Sequence, residues 1–549
     1  MSVIVRNSAG SILLLTKGAD TVILPALAET SKASPALLAG LVHIEMFAEA
    51  GLRTLMCAVR ELERETYEAW KAEHFDPAAR ALEHRDDKLA AAAAIIETEL
   101  EYVCVTAIED KLQEGVSDTI SLLRKAGINV WVLTGDKQGT AINIAMSCEL
   151  LTPAMQLHVA NEDTAEATVA RLVALEKLVP VESEQEQAFV IDGHTLFHAL
   201  EDKVGAATFE EVSTRCRAVI VCRATPLQKA SVVKMVRVRK PPGGGPRALT
   251  LAIGDGSNDV SMIQAAHVGV GISGREGLQA ARAADYAIAQ FRYLAVLLLK
   301  HGAWSYQRTT MVINYSFYKN IALYLIQLWF AFFNGLSGQT LFERWTISLF
   351  NVLFTSLPIL VHGLYNAEFS ASTQLLFPEL YWAGRNRELF NTKVFWSWCA
   401  NAVFHSLVLY FFVTGGLGAS ASWRANGQAS DLVSLGFVVY TAVVWVVNLK
   451  LGLVTHSMSS LQFGAFAVSI ATWYLYLVVY PLAQINDEAI GAGFYVLGSA
   501  PTWFVVGGVC IVALLRDILW AYVERTFFPT SRHIVRELDA SGRLPRLAP

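Results

Sequence analysis

Charge is scarce in this chain of 549 residues: Asp, Glu, Lys and Arg make up 17%, against 53% hydrophobic residues. That shortfall excludes an ordinary soluble enzyme. Neither sign dominates, the formal net charge being −5, so there is no basic surplus to hold nucleic acid. Cysteine is sparse as well. The seven cysteines form no CxxC pair and no Cys/His spacing of the kind zinc uses. The nearest two, Cys216 and Cys222, read as buried thiols of a reducing cytosol, not as a disulfide or a metal site. No secretory signal pattern follows Met1. Val3-Ile4-Val5 reads instead as a strand already under way, with further sequence expected upstream.

The scarcity of charge is uneven. Residues 1–300 carry charges throughout, whereas from Met311 onward long apolar runs alternate with short polar gaps. A membrane span needs about 20 mostly apolar residues. Six stretches qualify, at 312–333, 346–365, 394–414, 435–456, 462–482 and 502–522. Arg385, Arg387 and Lys393 follow the second stretch, and Arg525, Arg532, Arg536, Arg543 and Arg546 follow the last. The intervening loops on the other side carry only Arg344 and Arg424, so the basic segments, and residues 1–300 with them, are predicted to be cytosolic. Lys319, beside Asn320, lies inside the first stretch, where a charge costs several kcal/mol or so unless paired or hydrated. It reads either as a functional group or as a lysine snorkelling to the nearer surface. Lys450 and the Arg516-Asp517 pair read as snorkelling charges near cytosolic helix ends. Pro358 is expected to kink or unwind the second stretch. Neither of the first two stretches contains Asp or Glu. A pump for bare metal cations normally supplies carboxylates there. Lys319, Asn320, Asn351, Thr355 and Ser356 suit a polar headgroup better.

In the first half, Asn129–Leu133 reads as a strand ending at Thr134-Gly135-Asp136, followed by a helical pattern over 139–150. Leu249–Ile253 reads as a second strand, ending at Gly254-Asp255-Gly256-Ser257-Asn258-Asp259. A helix over 260–266 and a third strand, Val268–Ile272, follow. Strands alternating with helices predict a parallel sheet, whose working residues gather beyond the carboxyl ends of the strands. Asp136, Asp255, Asn258 and Asp259 all fall there. Carboxylates gathered at one edge repel unless a cation lies between them, and magnesium brings phosphate with it. Gly and Asp are also ordinary turn formers, and one such turn alone would mean little. Two of them, after two strands of one domain, favour a phosphate site.

The strings AIEDKLQEGV (107–116), VWVLTGDKQGTAINIA (130–145), CRATPLQKA (222–230), LAIGDGSNDVSMIQAAHVGVGISGREGLQAARAADYAIAQF (251–291) and FYKNIALY (317–324) resemble the phospholipid-flipping subfamily of P-type ATPases. The resemblance runs from MSVIVR at the start to FFPTSRHIVREL at 527–538. It is poorest over 153–188 and 240–247, which read as solvated insertions or linkers. It implies a haloacid-dehalogenase-type, Rossmann-like α/β phosphorylation domain (106–300) after part of a nucleotide-binding domain (1–105). Six transmembrane helices (301–522) and a cytosolic tail (523–549) complete it. It also implies ATP as substrate, Mg2+, a phospholipid cargo, a small two-span glycoprotein partner, and a plasma, Golgi or endosomal membrane.

By resemblance, Lys17 and Arg53 hold ATP phosphates. Thr134, Gly135 and Asp136 grip the nucleotide, and Arg223 and Lys229 lie near the phosphate. Asp255 and Asp259 bind magnesium, and Asn258 contacts phosphate. Lys319 and Asn320, with Asn351, border the headgroup path. On the residues alone, Lys17, Arg53, Arg223 and Lys229 would read as solvated surface cations.

The family's phosphorylated aspartate belongs to a DKTGT motif, and that motif does not occur in these residues. Residues 136–140 read Asp-Lys-Gln-Gly-Thr, but their flanks match the TGD segment, which normally carries Glu at the position of Gly139. The nucleophile, the actuator domain and four further spans are therefore expected upstream of residue 1, and the 549 residues alone are expected to be inactive. A regulatory membrane protein that has lost catalysis is the alternative; a cation pump is disfavoured by the missing carboxylates.

Overall fold

The computed structural model describes residues 2–8, 10–49, 52–80, 85–108, 112–180, 185–239, 247–274, 277–417, 422–424, 426–483 and 489–544. Contacts divide the chain into two compact units, residues 1–124 with 128–294, and residues 125–127 with 295–549.

The first unit opens with strands β1 (Ser2–Arg6), β2 (Ile12–Gly18), β3 (Arg53–Leu62) and β4 (Glu101–Ile108), paired antiparallel in that order. Alternation decides its two faces. Ile12, Leu14 and Thr16 are buried, while Leu15 and Lys17 point away and are exposed. Met56, Ala58 and Leu62 join the buried face and pack on Leu37 and Ile44 of the helix Pro35–Glu49. A bulge at Cys57/Ala58 shifts the β3–β4 register.

Next come β5 (Val130–Leu133), β6 (Gln156–Ala160), β7 (Gln187–Asp192) and β8 (Ala218–Cys222), all parallel, in the order β5-β8-β7-β6. The central strands β7 and β8 are buried almost throughout. Helices cover both faces: Phe189, Ile191, Val219 and Val221 pack on Leu172, Leu175 and Phe209, whereas Ala188, Val190, Ala218 and Ile220 pack on Ala141, Ala145 and Cys148. Most of the predicted insertion 153–188 is thus part of the core. It forms β6 and the helix Ala165–Leu178, whose Leu172 and Leu175, with Val179 beyond its end, recur at helical spacing and are fully buried. Residues 181–184 and 240–246 of the two poorly matching stretches lie outside the described residues.

The strand β9 (Leu251–Gly254) pairs with β10 (Val268–Ile272), and β10 with β11 (Tyr286–Ile288), in a second parallel sheet. The sequence suggested one sheet; the described residues form two. β5 and β9 each pair on one side only. They adjoin through side chains, Leu133 and Val233 packing on Ala252, Met262 and Ile263.

In the second unit, five helical stretches are long and apolar enough to cross a membrane: Arg344–Tyr365, Thr392–Leu417, Leu432–Val454, Ser460–Leu482 and Ala500–Phe527. They match five of the six predicted stretches. The remaining one falls in the helix Ala303–Phe333, whose 31 residues span about 46 Å at 1.5 Å per residue but do not meet the same standard of apolarity. The helix Leu432–Val454 is buried on nearly every side, with Tyr440 among Phe342, Phe350, Phe354 and Trp473.

The stretch Arg344–Tyr365 is interrupted, as Pro358 predicted, but the break lies upstream of the proline. A π-helical turn covers Phe350–Phe354, and Thr355 leaves helical geometry at φ −135°, ψ 4°. Proline has no N–H to give the carbonyl four residues back. That carbonyl, on Phe354, accepts a hydrogen bond from Ser469 Oγ instead.

Candidate functional site

Two polar sites emerge, one in each unit. In the first unit, Thr134, Gly135 and Asp136 form the turn at the carboxyl end of β5. Thr134 Oγ1 donates to Asp136 Oδ2 at 2.8 Å, and Asp136 N donates to Thr134 Oγ1 at 3.1 Å. The backbone runs on into the next strand end: Arg223 N donates to Asp136 O and Ala224 N to Thr134 O, both at 2.9 Å. Arg223 therefore sits beside the Asp136 turn, with an exposed side chain and φ of +50°, a conformation that costs a non-glycine residue energy. Gly193 makes room for it, since a Cβ there would overlap the Arg223 carbonyl.

Lys229, on the helix Pro226–Val238, is buried, and its Nζ lies 2.9 Å from Asp259 Oδ1. Asp255 and Asn258, on the same β9 turn as Asp259, are exposed, and neither side chain makes a hydrogen bond or ion pair among the described residues. Gly254 is required here: a Cβ on it would overlap the Asp259 side chain. The structure thus joins Asp136 to Arg223 and Asp259 to Lys229. Among the described residues no three Asp, Glu, His or Cys side chains converge on one point. The Asp255–Asp259 turn supplies two carboxylates, a donor set that fits a magnesium ion, which takes its remaining oxygens from phosphate and water.

Lys17 lies on the exposed face of β2. Arg53 opens β3, and its side chain lies outside those described. Lys137, next to Asp136, reaches Asp20 Oδ2 at 3.2 Å and ties the segment after β2 to the Asp136 turn. The helix that follows, Gln138–Ser147, carries Gly139 exposed in its first turn, with nothing within 4 Å of a Cβ placed there.

In the second unit, Lys319 is buried in the helix Ala303–Phe333. Its Nζ donates to Thr355 Oγ1 at 2.7 Å and lies 5.5 Å from the centre of the Phe350 ring. Thr355 Oγ1 in turn donates to Phe350 O at 2.6 Å, across the π-helical turn. Asn320 Oδ1 accepts from Asn351 Nδ2 at 2.8 Å. Lys319, Asn320, Asn351 and Ser356 line one side of a groove of about 480 Å³, with Val312, Ile359 and Leu360 among its apolar residues and no carboxylate in its lining.

The sequence missed one cluster. Lys450 and Asp517 do not snorkel. Lys450 is buried and Asp517 nearly so, their side chains 8% and 10% exposed, with Lys450 Nζ 2.8 Å from Asp517 Oδ2. Asn401 Nδ2 donates to Asp517 Oδ1 at 2.9 Å, Arg516 donates to Asn401 Oδ1 at 2.7 Å, and His405 Nε2 lies 3.4 Å from Asp517 Oδ2. The other imidazole nitrogen of His405 is 2.5 Å from Tyr318 Oη, one residue before Lys319. Three helices thereby meet on one carboxylate, and His405 links it to a fourth through Tyr318. The sequence did hold a signal: Val506, Val509 and Ala513 repeat at helical spacing on the buried face, and Asp517 is the next member of that series.

Comparisons with known proteins point to one family. The family model described as phospholipid-translocating P-type ATPase, C-terminal, matches residues 281–530. The chain is 43% identical to a phospholipid-transporting ATPase of Schizosaccharomyces pombe, over 98% of this chain and 43% of that protein. It is 43% identical to phospholipid-transporting ATPase DRS2 of Saccharomyces cerevisiae, over 98% and 40%. With phospholipid-transporting ATPase tat-1 of Caenorhabditis elegans it shares 42% identity, over 98% and 47%. The chain spans less than half the length of these curated relatives.

Proposed function

Since this chain belongs to the phospholipid-transporting P-type ATPases, we propose that it supplies the phosphate-handling and lipid-path residues of an ATP-driven flippase moving phospholipid from the exoplasmic to the cytosolic leaflet. The observation that carries this reading is the groove around Lys319. It offers an ammonium and two carboxamides beside apolar side chains and no carboxylate. A bare cation would lack charged oxygen ligands there, whereas a phosphate-bearing headgroup meets a cation and amide donors.

The roles in the first unit follow from charge. Lys229 neutralises the phosphoryl group as negative charge develops on it. Asp136, oriented by Thr134, and Arg223 grip the nucleotide beside Gly135, and Lys17 and Arg53 hold its phosphates. Asp255 and Asp259 would hold Mg2+, with Asn258 on a phosphate oxygen; when bound, the ion screens the repulsion between phosphate oxygens and attacking carboxylate. In this reading β5 and β9 flank a haloacid-dehalogenase-type sheet, their free edges leaving a position for one strand between them. Residues 1–105 belong to a nucleotide-binding domain and 106–300 to the phosphorylation domain, both cytosolic like the 523–549 tail. The helix Ala303–Phe333 is a sixth span within 301–522. Tyr315, Tyr318, Ala322, Leu323 and Ile326 face the core, while Phe317, Tyr324, Leu328 and Phe332 are left outward, where lipid would meet them. A two-span glycoprotein partner and a plasma, Golgi or endosomal membrane complete the proposal.

The test grafts residues 1–549 in place of the aligned stretch of the Saccharomyces cerevisiae relative and measures ATP-dependent uptake of labelled phospholipid. Uptake is expected, with Lys319→Ala lowering it about tenfold, as loss of a charged contact worth about 1.4 kcal/mol would. Lipid stimulation unchanged by Lys319→Ala, or ATPase activity driven by a metal cation in place of lipid, would sink the reading.

A further inference from the structure

Cys57 and Cys104 are register partners across β3 and β4, and Lys17 is the register partner of Cys57 on the other side, across β2. Paired residues of an antiparallel ladder share a face, so Lys17, Cys57 and Cys104 form a row on the face opposite the buried Met56 and Ala58. Cys57 is half-buried and Cys104 exposed, and both are free thiols. Directly paired Cα atoms lie about 4.5 or 5.5 Å apart in such a ladder, inside the range of about 4.4–6.8 Å that a disulfide spans. The bulge at Cys57/Ala58 adds local backbone freedom where the pair would close.

The other five cysteines lack this arrangement. Cys148, Cys216, Cys222 and Cys399 are buried. Burial pushes the Cys216 thiol up to about 12 and that of Cys222 up to about 11; it raises the Cys57 thiol as well, so the attacking sulfur is that of the exposed Cys104. Among the described residues no other two cysteines are register partners.

We propose that Cys57 and Cys104 form an oxidisable dithiol, which a hydroperoxide converts to a cross-strand disulfide beside Lys17. The exposed Cys104 sulfur attacks the peroxide oxygen, giving a sulfenic acid and releasing the alcohol, or water from hydrogen peroxide. The Cys57 sulfur then displaces the sulfenic hydroxyl, which leaves as water with the Cys57 proton. Two thiols are oxidised by two electrons, and one peroxide bond is reduced. The product draws the two Cβ atoms to about 3.8 Å and locks β3 to β4 at the immediate neighbour of Lys17. Its effect on nucleotide rests on the reading of Lys17 as a phosphate contact.

The experiment treats the purified 549-residue chain with tert-butyl hydroperoxide, alkylates it without reduction and digests it with trypsin. Each thiol then lies in its own peptide, residues 54–60 and residues 89–111. The two peptides are expected as one linked species, at least tenfold above its level in Cys57→Ser or Cys104→Ser, and dithiothreitol separates them. Recovery of the two only as separate alkylated or sulfinic peptides overturns the dithiol. Repeating the oxidation with MgATP tests Lys17 separately. Several-fold slower linking supports both readings, whereas linking at an unchanged rate upholds the dithiol and removes Lys17 from the nucleotide site.

Discussion

At the scale of single residues, the cluster on Asp517 shows how far a charge can be read from its position in a sequence. Lys450 and Asp517 lie near the ends of apolar helices, where a long side chain can reach water, so sequence position favours exposure. Packing overrode that preference. The helix Leu432–Val454 is enclosed on nearly all sides, leaving Lys450 no route outward, and Asp517 lies on the buried face of its own helix. A buried pair holds only if each charge keeps its partner: removing one partner typically costs ~3–5 kcal/mol, whereas replacing both with apolar residues is often neutral. Lys450→Met is therefore expected to lower the thermal midpoint of the detergent-purified chain markedly, and Lys450→Met with Asp517→Leu to recover most of the loss. Equal destabilisation by the single and double variants would mean that the pair itself does not carry the stability. Lys319 was legible as an intramembrane charge, but its partner Thr355 was not, because the two lie 36 residues apart on different helices.

At the scale of elements, local signals fixed more. The turns after β5 and β9 stand where strand patterns ending in Gly and Asp put them, and the helices that follow start within a residue or so of their predicted positions. Pro358 announced an interruption, and its missing N–H accounts for the free Phe354 carbonyl. The place of the break depended on Ser469, over a hundred residues later, supplying a donor for that carbonyl. Gly139 is a local feature with a measurable consequence. It sits in the first turn of the helix Gln138–Ser147 with open space around it, and glycine in a helix costs ~0.5–1 kcal/mol relative to alanine. Gly139→Ala should raise the unfolding midpoint of the first unit by a degree or more, on the order of the few degrees that ~1 kcal/mol produces in a domain of this size. A lowered midpoint would show that the turn before this helix needs the glycine.

At the scale of the whole molecule, the second unit is closed by its own tail. The helix Ser531–Ala540 lies along residues 368–373: Arg532 pairs with Glu368, Arg536 reaches the same carboxylate at 3.9 Å, and Asp539 accepts from Ser370 N at 2.9 Å and from Thr373 Oγ1 at 2.7 Å. The basic residues beyond the last apolar run predicted the side of the membrane on which the tail lies; they gave no hint that it folds back. Glu368 is largely buried against two guanidinium groups, so Glu368→Gln should loosen the tail, and trypsin should cut after Arg532 and Arg536 several times faster than in the unaltered chain. Cleavage at an unchanged rate would assign the docking to Asp539 and the Phe369 contact of Arg532.

The sequence by itself determined the family, the division into a charged half and an apolar half, the acidic turns and the position of five apolar helices. Each of these rests on residues close together in the chain or on periodicity along it. Tertiary structure decided which charges are paired, where the broken helix opens, that the stretch 153–188 belongs to the core, and that Lys17, Cys57 and Cys104 share a row. These depend on which distant segment supplies a hydrogen-bond partner or covers a face, and that is fixed only when the elements pack.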